Sequence, residues 1–358
     1  MKTDNRRYDI DWLRVIAIGL LLIYHTAIGF QPWGIFIGFI TSKPSWEFIW
    51  APMSMLNIWR IPLLFYVSGM GVFLAMRNRN LKQLFKERFE RIGIPLIFGT
   101  FCVVPLHILL FQQYYQRPLN YMPQLGHLWF LANILAYVLI FTPLFYFLRR
   151  NDKLKAGFGL KKWLNSGLLM AAIFMLMIVE AVVFKPSPFE LYAFTMHGFV
   201  LGLLAFVFGY CMMYAGNPFW HLLVKWRWLL FALAAGLFFS RMRMLLLPHP
   251  VYLSSVESNA WILALSAFAY KHLNKPSGVL QYLKEAAYPV YIVHMVFLFL
   301  GSYWLFPSGM NVVLKYFLTL FFTVACSLLC YAFIIRRIGV LRVLFGLKKT
   351  PPEKVSPS

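Results

Sequence analysis

His25 is the first residue whose type and position could do chemistry. It falls inside an apolar run, residues 13–30, eleven residues after Arg14. If the run is helical, eleven residues make about three full turns, so both side chains share one face about 16 Å apart. A neutral imidazole can take a proton from a hydroxyl, which makes His25 a candidate general base. Position alone serves a core histidine satisfied by a neighbouring carbonyl equally well. The second candidate is the run Lys86-Glu87-Arg88-Phe89-Glu90-Arg91. Arg88 and Arg91 are three apart and would project from one helical face. Two guanidiniums there can grip a pair of phosphates bidentately. Spacing by itself favours a plainer reading, a basic loop at a membrane boundary with a Glu87–Arg91 ion pair.

His294, in Tyr288-Pro289-Val290-Tyr291-Ile292-Val293-His294, is either a second active-site group or a structural hydrogen-bonder, and its lone position leans structural. His127, next to Trp129 and Phe130, fits an interfacial aromatic belt. Glu180 sits near the end of an apolar run and reads as a snorkelling side chain. Arg60 leads into Phe65-Tyr66-Val67-Ser68-Gly69, where small residues allow helices to approach closely.

The elements that must carry these groups follow from composition. Of 358 residues, 61% are apolar and only 13% charged, against about 25% charged in soluble proteins. A net charge of +22 would suggest nucleic acid in a soluble chain, but a mean hydropathy of +0.67 makes a membrane protein with basic loops the better reading. No nucleic acid is expected as a partner; the lipid bilayer is. The expected fold class is all-α, a polytopic transmembrane helical bundle of about ten spans.

The clear spans are 13–30, 92–114, 128–148, 164–184, 287–306 and 312–335, with further ones near 59–76, 197–215, 226–247 and 256–272. The one near 226–247 is interrupted by Arg241 and Arg243, and the Trp- and Pro-rich stretch 32–52 reads as partly interfacial. With the N-terminus inside, only Lys43, Arg60, Arg117, Lys185, Arg241, Arg243 and Lys315 of the 34 basic residues face outward. Both termini are therefore expected in the cytoplasm. The first run lacks a cleavage pattern and is expected to stay as an anchor. Residues 1–345 are expected to form one transmembrane domain and 346–358 a short disordered tail.

Cys102, Cys211, Cys326 and Cys330 all lie in apolar stretches, which suggests neither disulfides nor a zinc site, and no metal is expected. There is no phosphate-binding glycine loop, no Gly-x-Ser-x-Gly elbow and no set of intramembrane carboxylates fit for a pump. Taken bottom-up, this is a polytopic membrane protein with a histidine-centred polar interior.

At these residues the chain resembles a known family, the acyltransferase-3 integral membrane acyltransferases. Arg14, ten residues, then His25 is similar to the family's first-span signature. Arg88-Phe89-Glu90-Arg91 is similar to its arginine–x–x–arginine motif at the third span. Trp59 to Gly69 resembles the second span, His127-Leu128-Trp129-Phe130-Leu131 the fourth, and Tyr288 to His294 a late one. The stretch Glu87 to Pro95 looks most like the branch that esterifies periplasmic glucans with succinyl groups.

The resemblance implies ten core spans in a bacterial inner membrane. It implies transfer of an acyl group, acetyl or succinyl, from cytosolic acyl-CoA to a hydroxyl of an extracytoplasmic carbohydrate. By it His25 would be catalytic and Arg14, Arg88 and Arg91 would handle acyl-CoA. Arg60, Ser68, Trp129, Tyr291 and His294 would support them. Acyl-CoA is then a donor substrate, and no permanently bound cofactor is expected. The soluble acyl-transfer domain that some members carry is not expected in these residues. The alternative reading is a transporter or exporter of a glycan or lipid-linked sugar.

Overall fold

A computed structural model describes residues 6–77, 79–153, 164, 167–243 and 249–349. Among the described residues there is no strand, and the molecule is an all-α membrane bundle. Its elements are α1 (Tyr8–Ile28), α2 (Trp50–Ala75), α3 (Leu81–Tyr114), α4 (Trp129–Lys153) and α5 (Gly167–Phe184). They continue with α6 (Met196–Ala215), α7 (Asn217–Arg243), α8 (Val251–His272), α9 (Gly278–Leu305), α10 (Val312–Leu329) and α11 (Gly339–Leu344). Nine of the described helical segments are long and apolar enough to cross a membrane. Within the described residues, every expected span coincides with a helix. The exception to the apolar rule is α8, whose Ser254, Ser255, Glu257, Ser258 and Asn259 are buried inside the protein. Part of the expected 164–184 and 226–247 spans, and the tail from Thr350, lie outside the described residues.

The chain divides into two compact units. The first comprises Met1–Leu21, Ala51–Phe85 and Asn133–Leu280, and the second Leu22–Trp50, Lys86–Ala132 and Gln281–Ser358.

Within the first unit α2 and α6 meet at glycines. A Cβ on Gly69 would overlap the Phe206 carbonyl, and one on Gly209 the Tyr66 carbonyl. The small-residue reading of this segment is thus correct: only glycine lets these backbones touch. Proline 62 lies inside α2, and its ring displaces the bond to the carbonyl four residues earlier. That carbonyl, Ile58 O, accepts instead from Tyr192 Oη at 2.9 Å and Ser258 Oγ at 2.7 Å. Polar residues of α8 therefore do work that lipid could not. Arg241, which interrupts the hydropathy of α7, is neutralised by Glu257 at 2.8 Å and Glu190 at 3.1 Å. Glu180 does not snorkel. It is buried and pairs with His197 Nδ1 at 2.8 Å, because its place on α5 faces α6 rather than the helix end.

In the second unit, Pro32–Ile37 and Glu47–Ile49 form 3-10 turns that leave Phe36 and Phe48 more than 80% exposed, as an interfacial stretch would. Here α3 runs through two π turns, Phe89–Gly93 and Gly99–Val103. The helix itself starts at Leu81, among residues of the first unit, not at residue 92. Asn80 and Gln83 close a reciprocal cap, Gln83 N to Asn80 Oδ1 at 2.9 Å and Asn80 N to Gln83 Oε1 at 3.1 Å. This capping box makes the basic run helical instead of loop. Four residues before Pro105, the Phe101 carbonyl accepts from Tyr121 Oη at 2.8 Å.

Candidate active site

The second unit gathers four histidines. His25 comes from α1, His107 from α3, His127 from the 3-10 turn Gly126–Leu128 that leads into α4, and His294 from α9. Gly126 has φ +48, a left-handed turn that a residue with a Cβ would adopt only under strain. It sits against Val104, which would be 3.1 Å from such a Cβ, and brings His127 beside His107. The His107 and His127 rings lie 5.7 Å apart, and His127 meets His294 edge-on at 5.2 Å.

At the centre, His25 Nδ1 is 2.9 Å from His294 Nε2. His294 is fully buried, and its Nδ1 is 2.6 Å from its own helix's Tyr291 carbonyl. A carbonyl only accepts, so Nδ1 of His294 carries the proton and its Nε2 is the lone pair. For neutral rings His25 must then donate from Nδ1, which puts the lone pair of His25 on Nε2. One imidazole is thus oriented by another, as the base of a nucleophile–base pair is oriented by a third group. Such an arrangement suits removal of a proton from a hydroxyl. His294 is the partner of His25, not a lone structural group. His127 belongs to this cluster too.

Aromatic rings enclose the pair. Phe39 meets His25 edge-on at 5.8 Å, and Tyr291 stacks on His294 at 6.0 Å. Tyr291 Oη donates to the His127 carbonyl at 2.5 Å, which ties α9 to the entry of α4. The Trp129 ring meets the neighbouring Phe130 ring edge-on at 6.4 Å. The 31–50 stretch is fastened at both sides. Thr41 N donates to Tyr115 Oη at 3.1 Å, and the buried Lys315 ammonium donates to the Phe306 and Lys43 carbonyls at 2.9 and 3.2 Å.

The remaining sequence candidates lie elsewhere. Arg88 and Arg91 belong to the second unit, flanking and inside the first π turn of α3. A turn with i→i+5 bonds advances each residue through a smaller angle than an α-turn. The two guanidiniums therefore diverge more than three-residue spacing on an α-helix implies. The Glu87–Arg91 ion pair is present at 3.2 Å. Along the helix, Arg91 and His107 are about 24 Å apart. Arg14, Arg60 and Ser68 belong to the first unit. Arg14 pairs with Asp11 at 3.4 Å, Arg60 is fully buried, and Ser68 Oγ donates to the Leu64 carbonyl at 2.7 Å. Because α1 is one unbroken helix, the spacing of Arg14 and His25 is as the sequence implied. Among the described residues no group of three His, Cys, Asp or Glu side chains has metal-holding geometry.

Sequence reasoning missed His107. The signal was available: it is an ionisable side chain in the middle of an apolar run, which by default suggests function.

The family described as an acyltransferase domain matches residues 7–332, across both units. The chain is similar to the glucans biosynthesis protein C of Escherichia coli O1:K1, with 23% identity over 96% of this chain and 95% of that protein. The same figures hold for that protein in strain UTI89, and identity is 22% in strain 536. No solved structure matches the chain.

Proposed function

The chain belongs to the acyltransferase-3 family, and on that premise we propose that it moves an acyl group from cytosolic acyl-CoA to a carbohydrate hydroxyl across a bacterial inner membrane. The acyl group is acetyl or succinyl. The relatives' name, glucans biosynthesis protein C, makes a periplasmic glucan the favoured acceptor. In this reading both termini are cytosolic, residues 1–345 act as one acyltransferase domain, and 346–358 is its tail.

The observation that carries the reading is the 2.9 Å bond between His25 and His294. The acceptor oxygen attacks the thioester carbonyl carbon, forming a C–O bond as the C–S bond breaks. Its proton passes to His25 Nε2 and then to the departing sulfur, so coenzyme A leaves as a thiol. As His25 becomes an imidazolium, its Nδ1–H bond to His294 becomes charge-assisted and strengthens. That places stabilisation in the transition state, where it accelerates the reaction. Arg88 and Arg91 grip coenzyme A phosphates, and Arg14 assists donor handling. Tyr291 and Trp129 support the histidine cluster, and Arg60 and Ser68 support the first unit.

Membership of an acyltransferase family supports acyl transfer over the exporter reading. The direct test is mass analysis of envelope glycans from cells with and without the gene. A mass difference equal to acetyl or succinyl is expected. Identical glycans, with purified protein that neither binds nor hydrolyses acyl-CoA, would refute the proposal.

A further inference from the structure

His107 and His127 take no part in the proton path above, yet both are built into the same cluster. His107 is 6% exposed and packs against Phe299 with ring centroids 5.0 Å apart. His127 Nε2 lies 3.2 Å from the Ile292 carbonyl. Since that carbonyl can only accept, Nε2 of His127 carries the proton and Nδ1 is a bare acceptor. This nitrogen is buried and meets no hydrogen-bond partner among the described residues, and the same is true of Nδ1 of His107. A buried polar atom left without a partner is destabilising, and native proteins keep few of them. Two such atoms on adjacent imidazoles, one of them against the His294 that holds His25, ask for a ligand that completes them.

We propose that His107 and His127 form a hydroxyl-binding subsite that positions the acceptor carbohydrate for His25. The chemistry narrows the ligand. His127 Nδ1 needs a donor, whereas a thioester carbonyl and a coenzyme A phosphate only accept. A hydroxyl does both: it donates to His127 Nδ1 and accepts from Nδ1–H of His107 in that tautomer. A sugar and a water molecule both offer this group. The sugar also offers C–H faces to Phe299 and Tyr291, whose rings lie against these histidines. This inference rests on the reading above for the identity of the acceptor, and it assigns residues that reading does not use.

The test uses purified full-length protein and two variants. His107→Phe keeps the ring and breaks none of the hydrogen bonds described here. His127→Gln keeps a donor for the Ile292 carbonyl and replaces the ring Nδ1 with an amide oxygen at a shifted position, so an acceptor aimed as Nδ1 is aimed is lost. Binding of a linear glucose tetrasaccharide is measured without any donor, and binding of succinyl-CoA without any sugar. Wild type should bind the tetrasaccharide, and each variant at least about tenfold more weakly, with succinyl-CoA affinity unchanged. In turnover, the sugar KM should rise while kcat changes little. His107→Phe should melt at the same or a higher temperature, because it removes an unpaired buried nitrogen. A purely structural role predicts that stability gain with sugar binding intact, and that result would overturn the subsite. So would a wild type that binds no tetrasaccharide, leaving water as the hydroxyl. Sugar binding without succinyl-CoA binding would instead sink the donor reading and leave the subsite standing.

Discussion

His25 illustrates how much one side chain depends on its neighbour. Its candidacy as a base comes from being an imidazole in an apolar helix, and the bond to His294 fixes which of its nitrogens would take the proton. His25→Ala should abolish acyl transfer, by about a hundred- to ten-thousand-fold, with succinyl-CoA affinity retained. His294→Phe keeps the ring volume and removes the acceptor of the Nδ1–H. It should lower kcat while leaving the KM for donor nearly unchanged. Assays of the purified variants check both, and full activity in a well-folded His25→Ala would remove His25 from the mechanism. A contrasting pair is His197 and Glu180. His197 Nε2 donates to the Phe189 carbonyl at 2.9 Å, and its Nδ1 meets Glu180 at 2.8 Å. Glu180→Gln can keep a hydrogen bond to His197 and should cost little. Glu180→Leu strands the imidazole, and the usual penalty for a buried unsatisfied group is about 1–3 kcal/mol. Thermal melting in detergent distinguishes the two; equal melting would show that the pair contributes nothing.

At the scale of an element, α3 carries the clearest sequence logic and the clearest departure from it. The Asn80–Gln83 cap extends the helix beyond the apolar run, so the arginine motif is held by backbone hydrogen bonds and not by a loop. π turns at Phe89–Gly93 and Gly99–Val103 then precede Pro95 and Pro105. Such turns recur at functional sites. If Arg88 and Arg91 only decorate a boundary, changing both to Lys preserves every charge and should alter nothing. If they clamp phosphates, Lys lacks the planar fork. Charge-assisted bonds are worth about 1.5–3 kcal/mol each, so the Arg88→Lys/Arg91→Lys protein should bind succinyl-CoA at least about tenfold more weakly. Affinity at one fixed salt concentration decides it, and equal affinities would return the motif to decoration.

For the whole molecule, orientation decides which substrate meets which end. The basic residues concentrate in alternate loops, and on that basis a reporter fused at residue 190 should read periplasmic. Reporters at 155 and 350, outside the described residues, should read cytosolic. A periplasmic signal at 155 would invert the membrane topology and move the arginine motif away from the compartment that holds acyl-CoA.

The sequence by itself determined the helices and most of their boundaries. Long apolar segments in lipid have one way to satisfy their backbone, and that constraint is local. It also determined the family, because the motifs at Arg14–His25, Arg88–Arg91 and Tyr288–His294 are short and contiguous along the chain. Even the α3 extension was written in Asn80 and Gln83. Only the tertiary structure decided the histidine cluster. His25 and His294 are 269 positions apart, and no periodicity within one helix says which face meets which. The same holds for Ile58, whose carbonyl is freed locally by Pro62 but captured by Tyr192 and Ser258 from distant helices. Hydropathy finds helices because burial in lipid is averaged over a whole segment. A hydrogen bond between two rings depends on atoms placed to within tenths of an ångström, and only packing supplies that.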